Sequence, residues 1–294
     1  MNLGRLGVWA SLDSLSANDA AAFARRLEAK GFRTLWMPES RGRNVLVNAA
    51  WMLANTTTLN IATGIANIYG RDAFSANAAL HGLNEQSGGR FLLGLGVSHK
   101  PMVSGMRGHD YGKPVPTMRA YLKAMQDAPY MAPAPPTKPQ VVIAALGPMM
   151  LKLAAEMADG AHPYCVTPEH TAEARMILGP NKLLAPEQMV MLETDPVRAR
   201  AGARIALAPY IAMENYCANW RRLGFNQSEI ADGGSDRLID ANIVWGDEAT
   251  IRQRIQAHWD AGADHVCIQS IHPSGERTQL DERIFDVLAP MRAG

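Results

Sequence analysis

Residues 139–166 read PQVVIAALGPMMLKLAAEMADGAHPYCV and contain, in order, a predicted strand, a turn, a helix and a second strand. Residues 140–145 form a short apolar, β-branched run, and residues 149–158 place apolar side chains at helical spacing. Pro148 falls at the first helical position, where no amide donor is needed. A helix that starts directly after a glycine directs free backbone amides outward, which suits a phosphate or another anion. The same Gly-Pro pair also occurs in ordinary strand–helix connections.

The same strand–helix unit recurs along the chain. Its strands are apolar almost throughout, as a parallel sheet covered by helices requires. We therefore predict an α/β fold, a TIM (β/α)8 barrel in a single domain of residues 1–294. The segment between the last two strands is longer than one helix needs, and we predict that residues 196–246 form a helical insertion on the barrel rim. The eight predicted strands are residues 6–9, 34–37, 59–68, 90–97, 140–145, 160–166, 187–192 and 264–269.

The composition argues against several classes of function. A formal net charge of +1 disfavours nucleic acid and acidic membrane surfaces as partners. The three cysteines are far apart and the eight histidines show no HxxxH or HExxH spacing, so neither a disulfide framework nor a metal site is predicted. No apolar run reaches the roughly 18 residues of a membrane span, and the N-terminus lacks a signal-peptide pattern. We therefore expect a cytoplasmic protein.

A TIM barrel places its chemistry on the loops that follow the strands. Glu39 and Ser40 follow the predicted second strand, Asn67 ends the third, and Ser98 and His99 follow the fourth. Glu39 and His99 are therefore candidates for proton transfer. A single histidine after a strand is, however, more often a packing or hydrogen-bonding residue.

Glycines interrupt two of the predicted strands. Gly94 and Gly96 lie in GLGVSH at residues 94–99, which lacks the third glycine and the following helix of a dinucleotide fingerprint. They allow either close backbone approach by a flat ligand or a bend in the barrel wall. Gly64, inside ATGIAN, indicates unusual backbone geometry in the third strand.

Six segments, in this order, resemble the luciferase-like monooxygenase superfamily, in particular the branch that uses the deazaflavin coenzyme F420. They are LGVW at 6–9, GFRTLWMPES at 31–40, LNIATGIANIYGRD at 59–72, GGRFLLGLGVSH at 88–99, VVIAALGPMMLKLAAEMADGAHPY at 141–164 and AGADHVCIQ at 261–269. The resemblance covers nearly the whole chain. It implies a TIM barrel that holds an isoalloxazine-like ring at the carboxyl ends of its strands.

The resemblance also implies particular contacts with the coenzyme. It implies a non-prolyl cis peptide bond between Gly64 and Ile65 that bulges against the ring. We further predict a hydrogen bond from Asn67 to the ring and a coenzyme contact at Ser98. Pro148 can offer contact only, because it has no amide hydrogen. The coenzyme phosphate is expected after strand five and beside strand six, at Leu146, Gly147, Pro148, Met149, His162, Pro163 and Tyr164.

The chain departs from the family pattern at its predicted catalytic residues. Sugar-phosphate dehydrogenases of the family have an acid–histidine pair after strand two, where this chain has Glu39 and Ser40. They have a glutamate after strand four, where this chain has His99. We predict His99, Glu39 and Ser40 as the catalytic residues. Either His99 has taken over proton transfer, or the reaction needs none from a side chain.

Three functions are compatible with the sequence. We favour hydride transfer between coenzyme F420 and an unidentified small organic substrate. The alternatives are an FMN-dependent monooxygenase that works with a separate reductase, and a phosphate-ligand-binding barrel without redox chemistry. Aromatic residues in the insertion fit either a substrate pocket or a dimer surface, and we expect a homodimer.

Overall fold

A computed structural model describes residues 1–276 and 279–290, and its strands form one parallel sheet. Apolar residues line both faces of the strands because helices cover the outside and side chains fill the inside. The strands are β1 (Leu6–Trp9), β2 (Thr34–Met37), β3 (Asn60–Thr63), β4 (Ala66–Asn67), β5 (Phe91–Gly96), β6 (Gln140–Ile143), β7 (Gly160–Ala161), β8 (Leu183–Leu184), β9 (Glu187–Leu192), β10 (Ile243–Gly246) and β11 (Val266–Ser270).

The sheet closes on itself through a broken strand. β1 pairs with β2 and β11, and the sheet continues from β2 through β3, β5 and β6 to β7. β8 pairs with β7, whereas β9, which follows β8 after Ala185 and Pro186, pairs with β11. Ala185 N donates to Ala161 O of β7 and Cys267 N of β11 donates to Pro186 O, both over 3.0 Å. The hydrogen bonds to β7 and to β11 therefore continue across the break between β8 and β9. The predicted TIM barrel is confirmed, with β8 and β9 as its seventh strand.

Helices cover the outside of the barrel. The Ser16, Asn44 and Asp72 side chains cap the first three by accepting from backbone amides. Within the described ranges, no helix is long and apolar enough to cross a membrane. The helices are α1 (Ala17–Ala29), α2 (Val45–Ala54), α3 (Ala73–Ser87), α4 (Pro114–Asp127), α5 (Pro148–Met157), α6 (Pro168–Leu178), α7 (Pro196–Ile211), α8 (Glu214–Arg222), α9 (Gln227–Ile230), α10 (Asp236–Asn242), α11 (Glu248–Asp260) and α12 (Arg283–Val287).

Two strand predictions and the prediction of the insertion need revision. The third strand, predicted over residues 59–68, breaks after β3 and resumes as β4. The sixth, predicted over residues 160–166, keeps regular pairing only in β7, since Pro163 has no N–H to donate. The insertion predicted to be helical through residue 246 contains α7 to α10 but ends in β10, whose Ile243 pairs with Met189 of β9. The single-domain interpretation stays a prediction, and its residues 277–278 and 291–294 lie outside the described ranges.

A small cluster fills the interior of the barrel below the strand ends. Trp36 of β2 is fully buried and stacks on His162, with ring centroids 4.3 Å apart and an angle of 17° between the planes. Trp36 Nε1 donates to His265 Nε2 over 3.0 Å. Leu92 and Val142 pack in the same cluster, and a larger apolar cluster includes residues of both the strands and the surrounding helices. These side chains form the floor of the candidate site.

Candidate functional site

A bulge in the third barrel strand lies at the centre of the candidate site. The peptide bond between Gly64 and Ile65 is cis, which confirms that prediction. Gly64 N donates to Met37 O over 2.8 Å, and Glu39 N donates to Ile65 O over 3.1 Å. Trp9 Nε1 donates to Gly64 O over 2.9 Å. The first and second barrel strands therefore hold the bulge through three hydrogen bonds.

Gly94 and Gly96 of β5 make room for the bulge. A Cβ at Gly94 would lie 2.0 Å from Thr63 O, and a Cβ at Gly96 would lie 2.5 Å from the Ile65 side chain. The hydroxyl of Thr63 also donates to Gly94 O over 2.7 Å. The two glycines are therefore needed for close approach of the neighbouring strand, a role that differs from both interpretations offered by the sequence.

His162 lies beneath the bulge and belongs to the barrel interior. Its Nδ1 donates to Ala185 O over 2.7 Å, and burial lowers its pKa to about 4 although that hydrogen bond partly opposes the shift. Nε2 therefore carries no proton. A Cβ added at Gly64 would lie only 2.9 Å from this nitrogen. His162 N already donates to Ile143 O, and Pro163 has no amide hydrogen. Neither residue therefore offers a free donor to a phosphate, and the predicted contacts at His162 and Pro163 stay a prediction.

Glu39, just after β2, is part of a buried ion pair. One carboxylate oxygen contacts the Arg71 guanidinium, and the other accepts from Asn67 N over 2.8 Å. Only 6% of the Glu39 side chain and 7% of the Arg71 side chain are exposed. A buried carboxylate with both oxygens bonded fixes the chain on either side of the bulge. The catalytic role of Glu39 stays a prediction, and the geometry gives it a structural role.

Asn67 and Ser40 differ in their access to the site. Asn67 is 2% exposed, and its Oδ1 accepts from Tyr69 N over 3.0 Å. The amide nitrogen Nδ2 is therefore the atom of Asn67 that suits the predicted contact with a ring. Ser40 is exposed on the loop after β2. Its predicted catalytic role stays a prediction.

His99 follows β5 and is partly covered by the insertion. Ser98 adopts a left-handed conformation with φ of 56°, and Tyr111 Oη donates to Ser98 O over 3.1 Å. The His99 ring lies 5.8 Å from the ring of Tyr216 on α8. Burial lowers the pKa of His99, and a hydrogen bond with Asn215 partly opposes this shift. The neutral form of His99 therefore predominates near pH 7, and it can accept a proton.

The turn before α5 presents backbone amides to open space. Leu146 O accepts from His170 Nε2 over 2.8 Å and from Arg222 Nη2 over 3.0 Å. Because the carbonyl and the N–H of a trans peptide point in opposite directions, Gly147 N–H points away from both side chains. In the part of the chain that the structure describes, neither Gly147 N nor Met149 N has a protein acceptor, and a Cβ at Gly147 would enter open space. The turn can therefore receive an anion.

An aromatic wall, formed by Trp9, Tyr164 and Tyr210, joins the bulge to the insertion. The Tyr164 ring lies 5.2 Å from Trp9 and 5.4 Å from Tyr210. Tyr164 Oη donates to Gln269 Oε1 over 2.7 Å and is also bonded to Tyr210 Oη. The Tyr164 hydroxyl is therefore engaged within the wall, and the predicted phosphate contact at Tyr164 stays a prediction. Sequence reasoning missed Trp9, Gln269 and Arg71, although Trp9 ends β1 and Gln269 is the penultimate residue of β11, so both could have been found by position.

Two relatives align along most of the chain. A putative coenzyme F420-dependent oxidoreductase of Mycobacterium tuberculosis is 26% identical over 325 aligned positions, which cover 89% of this chain and 92% of that protein. A 5,10-methylenetetrahydromethanopterin reductase of Methanolobus tindarius is 24% identical, with 87% and 92% covered.

Solved structures share the fold at low sequence identity. An F420-dependent secondary alcohol dehydrogenase, solved with an F420–acetone adduct, superposes with a TM-score of 0.72 and 16% identity, covering 97% of this chain and 99% of that chain. The oxygenating constituent of 3,6-diketocamphane monooxygenase from Pseudomonas putida, solved with FMN, gives a TM-score of 0.65 and 14% identity, covering 90% and 91%. These likenesses show a common barrel.

The family model for luciferase-like monooxygenases matches residues 2–178. This range is more than half of the chain, and it contains the bulge at Gly64, His99 and the turn at Gly147. The chain therefore belongs to the luciferase-like monooxygenase family.

Proposed function

We propose that the chain is an oxidoreductase that transfers a hydride between coenzyme F420 and a small organic substrate. The observation that carries the proposal is the bulge at Gly64–Ile65, held by hydrogen bonds at the carboxyl ends of the barrel strands. The relative from Mycobacterium tuberculosis, named as F420-dependent, aligns along 89% of the chain and supports the choice of coenzyme.

The two predicted contact regions fit a phosphorylated deazaflavin. At the turn before α5, Gly147 N and Met149 N have no acceptor among the described residues, and the positive end of the helix dipole favours a phosphate. At the bulge, Gly64 presents backbone without a side chain, and Asn67 Nδ2 is the donor available to a flat ring. A bound F420 would therefore be held by its phosphate at one region and by its ring at the other.

The residues of this chain would bind, orient and protect the reacting groups. The coenzyme supplies the hydride chemistry when bound. The bulge fixes the ring face, and the aromatic wall of Trp9, Tyr164 and Tyr210 excludes water from it. His99, whose neutral form predominates near pH 7, would accept a proton at its imidazole and, once protonated, could return it. Glu39 keeps the loop beside the bulge in place through its pair with Arg71.

Fluorescence titration of the purified protein with oxidised F420, and separately with FMN, tests the proposal. We expect saturable F420 binding at micromolar concentration or below, and FMN binding weaker by at least about tenfold, equivalent to roughly 1.4 kcal/mol. Micromolar FMN binding without F420 binding would contradict it. Binding of inorganic phosphate with neither coenzyme would instead favour the barrel without redox chemistry.

An FMN-dependent monooxygenase is the second candidate, because a structure of the same fold holds FMN. The turn at Gly147 does not discriminate, since FMN and F420 both carry a phosphate on a ribityl chain. The second candidate requires a reaction with oxygen. It predicts oxygen consumption when chemically reduced FMN is added to the protein in air, beyond the consumption by reduced FMN alone.

A further inference from the structure

We propose that the side-chain amide of Gln269 binds the substrate, by donating a hydrogen bond from Nε2 to an acceptor oxygen of an uncharged, largely apolar organic molecule. This inference rests on the proposed function, because it names the substrate class of that same site. Tyr164 is a positioning residue, because its hydroxyl acts on the substrate only through Gln269.

Gln269 faces the inside of the barrel at its carboxyl end. Cys267, two positions earlier in β11, packs in the small interior cluster, and side chains two positions apart on a strand share a face. Gln269 also pairs in register with Trp9 of β1, which belongs to the same cluster and donates to Gly64 O of the bulge. The side chain of Gln269 therefore lies one layer above the floor of the candidate site.

The orientation of the Gln269 amide is held by a tyrosine. Tyr164 Oη donates to Gln269 Oε1 over 2.7 Å. Because this bond uses the single hydroxyl hydrogen of Tyr164, the donor between the hydroxyls of Tyr164 and Tyr210 is Tyr210. The oxygen and the nitrogen of an amide are on opposite sides of its carbon, so the bond that fixes Oε1 also fixes Nε2.

The amide nitrogen of Gln269 remains available as a donor. Among the residues that the structure describes, Nε2 has no acceptor, and it is not sealed from solvent. Gln269 is 8% exposed, so only a small part of this side chain reaches the mouth of the barrel. A donor that loses its water without gaining an acceptor weakens binding. A molecule that fills the mouth must therefore offer an acceptor to this nitrogen.

The place of Gln269 in the sheet favours the substrate over the coenzyme as its partner. The bulge belongs to the third barrel strand, and β1 and β2 lie between this strand and β11. Neighbouring strands are about 4.8 Å apart, so three spacings separate Gln269 from Gly64 by roughly 14 Å along the barrel wall. A ring against the bulge has Asn67 Nδ2 beside it. Gln269 Nε2 is left for the second molecule, beyond Trp9.

The surroundings of Gln269 suit an uncharged substrate. The aromatic wall presents apolar ring surface next to the amide. Near the bulge, the Arg71 guanidinium is already paired with Glu39. Beside the turn before α5, Arg222 is already paired with Glu173. These two cations are therefore neutralised for an anionic substrate, whereas a carbonyl oxygen accepts readily from a neutral amide.

Two probes of matched shape test the hydrogen bond. They are acetophenone and α-methylstyrene, in which a CH2 group replaces the ketone oxygen. Gln269→Glu keeps an acceptor for Tyr164 Oη but has no amide donor, and Gln269→Met removes both functions. In both variants we expect acetophenone affinity to fall by about fivefold and α-methylstyrene affinity not to fall. Gln126→Glu, the same change on an exposed face of α4, should alter neither affinity.

Ligand-observed NMR titration of the full-length protein measures these dissociation constants, with and without saturating F420. Unchanged acetophenone affinity in both Gln269 variants, or an equal loss for the two probes, would overturn the proposal. So would absent acetophenone binding by the wild type at millimolar concentration. Tyr164→Phe should weaken acetophenone binding selectively, and an equal effect on both probes would overturn its positioning role.

Coenzyme affinity separates this proposal from the proposed function. The F420 dissociation constant of Gln269→Met should stay within about threefold of wild type. A loss of tenfold or more would mean that the amide contacts the coenzyme, and would also overturn the inference. Failure of the proposed function would appear differently, as absent F420 binding by the wild type. The titrations without coenzyme would still decide whether Gln269 binds the ketone.

Discussion

The substitution Gly147→Asp places a negative charge at the turn before α5 and so tests whether this turn binds the coenzyme phosphate. The backbone angles at Gly147, φ −88° and ψ 157°, suit any residue, and an added side chain enters open space. Aspartate is also at least as good as glycine at the N-cap of a helix, so stability should not fall. A carboxylate about 5 Å from a bound phosphate repels it by roughly 0.8 kcal/mol in a dielectric of about 80 and roughly 3.3 kcal/mol in one of about 20. Because Gly147 is half-buried, we expect an affinity loss of at least about tenfold.

Isothermal titration with F420 and with its phosphate-free deazariboflavin precursor measures this loss. Gly147→Ala is the matched control, because it adds a Cβ without charge. We expect the alanine variant to bind F420 within about threefold of wild type, and all three proteins to bind the precursor equally. Wild-type F420 affinity in the aspartate variant would refute the reasoning. An equal loss for F420 and for the precursor would refute it too, since the effect would then not act through the phosphate.

Two further predictions concern stability. Glu39→Gln should lower the free energy of unfolding by about 3 to 5 kcal/mol, because it leaves the buried Arg71 guanidinium unpaired. Urea unfolding measures this, and a loss below about 1 kcal/mol would mean that water screens the pair. The free energy of unfolding should also fall as the pH drops from about 6.5 towards 4, because the histidines of the unfolded chain take up protons that the buried histidines of the folded chain do not. The expected loss is up to about 1.4 kcal/mol per pH unit for each buried histidine. Equal stability at pH 7 and pH 5 would contradict this. The histidines are His162 and His265, each with a pKa of about 4, and His258, with a pKa of about 3.

Much of the barrel could be predicted because its strands are short apolar runs separated by helical periodicity. The runs at β1, β2 and β9 have the predicted bounds. β10 was missed because Ile243 directly follows a helix, with no turn residue to separate the two elements. The cis bond followed from the family resemblance, since periodicity alone gives only an unusual glycine, whereas the break after β3 was not predicted.

The contacts of the candidate site could be predicted less well, because they join residues that are distant in the sequence. Nothing local to Glu39 indicates that Arg71 will neutralise it in a buried pair. The steric requirement for glycine at position 96 can be recognised only when the position of the Ile65 side chain is known. The ring of His162 turned out to face the barrel interior, and a strand with so little regular pairing gives no reliable alternation of faces.

A crystal structure of the protein with oxidised F420 tests the central claim most directly. We predict that the deazaflavin ring lies against the Gly64–Ile65 peptide, within hydrogen-bonding distance of Asn67 Nδ2. We also predict that the phosphate accepts hydrogen bonds from Gly147 N and Met149 N. A ring bound away from the bulge, or a phosphate bound away from the turn before α5, would contradict the account.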